Sequence, residues 1–280
     1  MSRLGWWGAG LVLGLLALAL LGDHVSPYRF DEQDAMHALE GPSVAHPLGT
    51  DALGRDVLAR VAEGARVSLA LAVASTLLAL ALGVAYGAIS GYVGGRLDAW
   101  AMRGVDVAYA LPEVLVLVLL TEVLEALLGG LPDLYRRLIA LTLALGGVGW
   151  VSVARLARGL VLQAREEAWV EAARALGVSP PRLLVRHILP NLSGPLWVTA
   201  TFRIPAAILA ESSISFLGLG IQAPFASWGV LAADGFVAMR SHPHLILFPS
   251  LFIFVALVGF HLLGEGLREG RGPQASARGA

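Results

Sequence analysis

An all-α fold, a polytopic membrane helix bundle with six spanning helices, is what the sequence predicts, on three observations. The 280 residues are 56% hydrophobic and only 15% charged, far more apolar side chain than one soluble core can bury. Mean hydropathy is +0.71, and the apolar residues fall into six runs separated by short polar or glycine- and proline-marked turns. Arginine is unevenly shared: with the N-terminus inside, twelve arginines fall on the inner side and seven on the outer, the bias of an inside-facing set of loops. Arg136 and Arg137 in a short outer loop run against that bias.

Each element has its own signal. Residues 6–22 are a nearly uncharged run behind Arg3, short for a span and long for a signal-peptide core; a retained first span is the reading, and a cleaved signal, with Ala17, Ala19 and Gly22 near the cut, is its alternative. Residues 23–66 form an acidic extracytoplasmic segment. Leu53, Val57, Leu58, Val61 and Ala65 make a stripe that predicts a helix in the membrane interface, capped by Thr50 or Asp51, with Arg55 and Asp56 on a solvated face. The second span, 67–93, spaces Gly83, Gly87 and Gly91 by four, either a smooth strip for a neighbouring backbone or chance in a chain with 33 glycines. The third, 104–128, is interrupted by Pro112 and carries Asp106, Glu113, Glu122 and Glu125, acids that must face protein or water. The fourth is 138–157. The fifth, 195–217, places Arg203 and Glu211 near one helix face, and the sixth is 245–263, in a membrane body of 67–267 followed by a small-residue tail, 268–280.

Between the fourth and fifth spans lies a polar stretch, 165–191. Ala168, Trp169, Ala172, Ala173 and Leu176 form one helical stripe, read as facing inward, and Gly177 stops that helix. Ser179 as N-cap with Pro180 and Pro181 starts a second short helix, 180–189, with Leu183, Leu184 and Ile188 on its apolar side, Arg182 and Arg186 opposite, and Pro190 as its end. Two short helices, polar outside and apolar inside, predict a knob offered to a soluble partner.

Composition excludes several chemistries. There is no cysteine and no lysine, so thiolate metal sites, a Walker A lysine and a Schiff base are all impossible in this chain. No cofactor or metal is expected: the seven histidines are scattered, and only His242 and His244 are close, across Pro243. A net charge of −1 gives no nucleic-acid signal. A serine hydrolase using Ser193 or Ser212 with His261 lacks a nucleophile elbow, and a proton-coupled secondary transporter using the membrane acids remains physically allowed.

Three separated stretches carry a resemblance. Glu171-Ala172-Ala173, then Gly177, then Leu189-Pro190 match in residue and spacing the EAA loop of binding-protein-dependent ABC importer permeases, and His187 within HILPN resembles the dipeptide, oligopeptide and nickel branch. The segment from His46 to Leu69 and the passage AESSISFLGLGIQAPFASWG, from Ala210 to Gly229, resemble that branch too, its second (C-type) subunit in particular. The resemblance implies a non-catalytic subunit in a prokaryotic inner membrane, with both termini cytoplasmic. It further implies a second homologous permease chain, two ATPase subunits docked on the knob, and an extracytoplasmic binding protein delivering peptides or similar solutes. The coupling element is then Glu171, Ala172, Ala173, Gly177, Pro180, Arg182, Leu183, Arg186, His187, Leu189 and Pro190. Glu171 has the plainer alternative of pairing with Arg174. Glu113, Glu122, Arg203 and Glu211 are the candidates for a hydrophilic path, where a peptide's amine and carboxylate would meet opposite charges; pairing among the helices is the equal alternative.

Overall fold

The computed structural model describes residues 2–270, apart from the side chain of Asp23. The expected tail therefore lies almost wholly outside the described residues. Described elements are helices, with turns and loops between them. Among the described residues five helices are long and apolar enough to cross a membrane: α1 (Arg3–Leu21), α2 (Val57–Val93), α5 (Asp133–Arg165), the rod Pro180–Phe216, and α10 (His244–Glu269). A sixth crossing is available only as a bent pair, α3 (Gly95–Ala110) and α4 (Glu113–Leu127), which meet at 94°. Two shorter helices, α6 (Ala168–Ala175) and α9 (Trp228–Val237), complete the bundle.

The bend corrects the expected third span. A proline forces the residue before it out of the helical region, and Leu111 (ψ 141°) and Pro112 (ψ 114°) are both extended. Two extended residues in a row turn the chain, where one proline kink would only have tilted it.

The second span also differs from expectation. The predicted interfacial stripe is the start of α2 itself from Val57 on, and α2 runs unbroken for 37 residues, about 55 Å at the usual rise per residue, well beyond a hydrocarbon core of about 30 Å. Its cap is neither Thr50 nor Asp51 but Asp56, whose carboxylate accepts from the Ala59 amide at 2.8 Å. Arg55 and Asp56 are buried, not solvated, because residues 24–56 fold back over the helix start. Asp56 accepts from Ser26 Oγ at 2.8 Å and meets His46 Nδ1 at 3.0 Å, and Tyr28 stacks on the His46 ring. Asp51 holds Arg55 at 2.7 Å and Arg60 at 2.6 Å while accepting from the Leu53 and Arg55 amides. Burial alone would raise the Asp51 pKa, but the two arginines and the amides outweigh it and hold the carboxyl below its ordinary value.

The glycine strip is a true backbone approach. Gly83, Gly87 and Gly91 lie on the carbonyls of Trp150, Ala154 and Arg158, so a methyl group at any of them would strike α5. The α2–α5 pair is clamped again at the far end of α2, where Asp98 takes Arg158 in a fork of two 2.6 Å bonds and also accepts from Ser90, and Arg165 donates to the Gly91 carbonyl. The contrary arginines at the start of α5 are neutralised: Arg136 pairs with Asp133 at 2.6 Å, and Arg137 lies 3.5 Å from Glu125 and donates to the Gly220 carbonyl.

α9 is too short to span and is keyed into the bundle by Trp228. That ring is fully buried, its backbone amide donates to Ser68 Oγ, and its indole N–H donates to the Val61 carbonyl at 3.0 Å. It joins α1, α2, α8 (Leu189–Phe216) and α10 in the larger apolar core; a second core joins α2, α4, α5 and α8.

Candidate functional site: a membrane cavity and a protruding knob

The bend at Leu111 and Pro112 does not pack tightly against its neighbours. Between it, the middle of α5 and the middle of α8 lies a cavity of about 350 Å³, mostly apolar, with Glu113 and Arg203 in its lining. Arg203 enters from α8. Its Nη1 donates to Ser152 Oγ at 3.1 Å, and its guanidinium lies over Gly149, where a methyl group would overlap it. Its Nε is buried with no hydrogen-bond partner among the described residues. The result is a positive charge held in place and an acid lining one pocket, with Trp150 and Tyr109 in its walls, an arrangement able to receive a solute with separated charges.

Two of the four expected path residues are thus brought together and two are not. Glu211 is 1% exposed and sealed between α8 and α9, its Oε1 accepting from Ser215 and Ser227 at 2.6 Å each. It fastens helices and is absent from the cavity wall. Glu122 sits on an exposed face of α4, also away from the cavity. Sequence reading missed Ser152 and Gly149; the signal available was Arg203 itself, since an arginine inside an apolar helix needs a polar seat.

The knob begins where α5 ends. α6 closes at Gly177, whose φ of +80° is the left-handed conformation that glycine adopts without strain, and whose N–H donates to the Arg174 carbonyl at 2.9 Å. Ser179 occupies the next N-cap position with extended backbone, yet its side chain makes no capping bond. A short α7 (Pro180–Arg182) leads into a π turn, Leu183–Ile188, and then directly into α8. Pro190 therefore does not end this helix, contrary to expectation. In the widened turn the Leu189 amide donates to the Leu184 carbonyl five residues back, and the missing N–H of Pro190 falls where the hydrogen-bond register is already changing.

Burial divides the knob into two faces. Leu183, Leu184 and Ile188 are buried with Val170 against Ala88 of α2 and Val161 and Ala164 of α5, as the sequence predicts for the second helix. The first helix is turned the other way from expectation. α6 rests on Val170, while Ala168, Trp169, Ala172 and Leu176 are exposed, Trp169 at 38% and Leu176 at 85%. Val170, between the predicted stripe positions, is the one buried residue of this eight-residue helix, and half-buried Ala173 packs beside it. Of the expected coupling residues, Glu171, Ala172, Gly177, Pro180, Arg182, Arg186 and Pro190 are exposed, Ala173, His187 and Leu189 are half-buried, and Leu183 is buried.

Comparison with known proteins agrees with this architecture. Residues 83–269, which include the cavity wall and the whole knob, match the family described as the binding-protein-dependent transport system inner membrane component. The chain belongs to this family. The permease is 38% identical to the oligopeptide transport system permease protein OppC of Bacillus subtilis (strain 168) over 98% of its own length and 86% of that protein's. It is 41% identical to the dipeptide transport system permease protein DppC of the same organism, over 98% and 82%. OppC of Escherichia coli (strain K12) is 38% identical over 94% and 85%. The permease is accordingly a multi-pass inner-membrane translocation subunit of an ABC importer, and ATP hydrolysis belongs to separate subunits. The hydrolase alternative finds no support in the geometry: His261 Nδ1 is engaged with the Leu257 carbonyl within α10, and its ring packs on Phe202.

Proposed function

We propose that the permease carries peptides or closely similar zwitterionic solutes inward, through the cavity that Arg203 and Glu113 share. It does so as one of two homologous permease chains, with two ATPase subunits on the cytoplasmic side, an extracytoplasmic protein delivering the cargo, and both termini in the cytoplasm. The relatives named as oligopeptide and dipeptide permeases support the cargo class. Arg203, seated over Gly149, offers a carboxylate a preorganised partner, and Glu113 in the same lining offers an acceptor to an amine.

The observation that carries the coupling role is the divided knob. A helix that buries Leu183 and Ile188 in the bundle and leaves Trp169, Leu176, Arg182 and Arg186 uncovered is anchored on one side and open on the other. A motor gripping the open side would move α2 and α5 together, because the glycine strip and the Arg165 bond to the Gly91 carbonyl make them one body, with α3 tied in by the Asp98–Arg158 fork. Replacing Trp169 and Leu176 together by alanine is expected to release the ATPase subunits during co-purification and to abolish ATP-driven uptake in proteoliposomes, leaving permease folding intact. Retention of the ATPase subunits with undiminished uptake would overturn the assignment. In the same assay Arg203→Gln should abolish uptake with the ATPase subunits still bound.

A further inference from the structure

The end of α2 away from the knob holds a second hollow, of about 290 Å³. Its polar wall is Asp51, Arg55, Arg60 and Asp234; Leu231, Val237 and Pro249 stand on its apolar side. Arg60 is only 2% exposed, and although its Nη1 is bonded to Asp51, its Nε has no hydrogen-bond partner among the described residues. Asp234 is the complementary case. Its side chain is 58% exposed and its carboxylate stops 3.8 Å from Arg60 Nη1, too far for a hydrogen bond. Asp51 cannot serve either group further, since it already holds both arginines.

Charge balance narrows what would complete this site. Two guanidiniums and two carboxylates sum to zero, so a lone anion or a lone amine would leave an unbalanced charge beside the buried Arg60 and Asp51. A group bearing one anionic and one cationic centre a few ångströms apart adds no net charge and meets the open sides of Arg60 and Asp234 together. The apolar side selects further. Val237 is 88% exposed at the rim, so the hollow opens along a hydrocarbon-like surface on a bundle whose helices are of membrane length. A small soluble zwitterion has nothing to place there, whereas a lipid does.

We infer that this hollow is a binding site for the headgroup of a zwitterionic phospholipid with a primary amine. The phosphate lies toward Arg60, the ammonium donates to Asp234, and the acyl chains pass over Val237 and Pro249. Phosphatidylethanolamine has this chemistry; phosphatidylglycerol lacks the cation, and phosphatidylcholine has a cation with no N–H to donate. The site stands apart from the cargo cavity and does not depend on the transport reading.

The test uses the purified full chain in mixed micelles of defined lipid, with native mass spectrometry counting retained lipid. One retained phosphatidylethanolamine is expected, held in preference to phosphatidylglycerol and phosphatidylcholine. Asp234→Asn should weaken that retention about tenfold, the loss of one charge-assisted hydrogen bond, and Ala238→Trp, which fills the hollow, should remove it. Equal retention of the three lipids, or an Asp234→Asn chain that holds phosphatidylethanolamine as the parent does, would overturn the proposal. Stripping of the lipid by free phosphoethanolamine or by a dipeptide at millimolar concentration would likewise overturn it, by showing a site for soluble zwitterions.

Discussion

The two ends of α2 are secured by opposite physics. At its start, buried charges and hydrogen bonds hold the chain: Asp56 gathers Ser26, His46 and the Ala59 amide, and Asp51 gathers two arginines. Toward its other end, Ala88 joins Leu183, Ile188 and Val170 in an apolar weld, with the polar Asp98–Arg158 fork beside it. Directional bonds in a low-dielectric setting fix one geometry and fail sharply when a partner is lost. Apolar packing instead tolerates small sliding of helices and loses stability in proportion to the volume removed. The knob is joined to the bundle by the forgiving kind of contact, which suits a part that must take thrust without breaking, while the far end is built to stay still.

The largest effect is expected where the lock is broken. Asp51→Ala leaves two guanidiniums, at 2% and 9% side-chain exposure, without their shared carboxylate. Removing one partner of a buried ion pair costs about 3 to 5 kcal/mol, and thermal unfolding of the purified chain should show it as a large fall in midpoint. If the midpoint moved no more than for an exposed pair such as Arg29–Asp31, the lock would be decorative and the contrast between the ends would fail. The weld should respond differently. Leu183→Ala removes a fully buried side chain at a cost of about 2 to 5 kcal/mol, yet uptake should fall further than stability does, because a loosened knob absorbs motion that α2 and α5 would otherwise receive. Equal losses in Leu183→Ala and in a core change distant from the knob, such as Ile208→Ala, would remove the special role of this packing.

How much of this was legible before the structure depends on how local the cause is. The glycine strip and the Leu183-Leu184-Ile188 face could be read because periodicity within one helix is enough to define them. The outward turn of Trp169 and Leu176 could not. A stripe says that two sides of a helix differ, and it is silent on whether the apolar side meets its own bundle or is left for another protein. Pro112 marked an interruption and by itself puts Leu111 in the extended region, but the 94° turn also needs Pro112 extended, which no periodicity encodes. Glu211 was misplaced for a similar reason: its serine partners are Ser215, one turn on, and Ser227, sixteen residues away across the turn into α9. The polar lock over α2 was read as a solvated face because Arg55 and Asp56 look exposed until Asp51 takes the one and Ser26 and His46, 30 and 10 residues away, fold onto the other.

The smallest expected effect lies in the same folded-back segment, where it is exposed and the lock logic should fade. Asp34 caps the turn Ala35–His37 through the Met36 amide and meets His37 Nδ1 at 2.8 Å. The hydrogen bond to His37 lowers the Asp34 pKa from its ordinary 3.8, and the same bond raises that of His37 from 6.5. The signs are opposite. A depressed carboxyl contributes above its unfolded value and loses that contribution as pH falls through the lowered one; a raised imidazole contributes below its unfolded value and loses it as pH climbs through the raised one. The turn should therefore be firmest between pH 3.8 and 6.5 and loosen on either side, seen as faster exchange of the Met36 and His37 amides after allowance for the intrinsic pH dependence of exchange. Because both groups are open to solvent, salt should flatten this profile while leaving the Asp51 cluster unmoved. A profile insensitive to salt would mean that the exposed pair behaves like the buried one, and that burial does not set how this end is held.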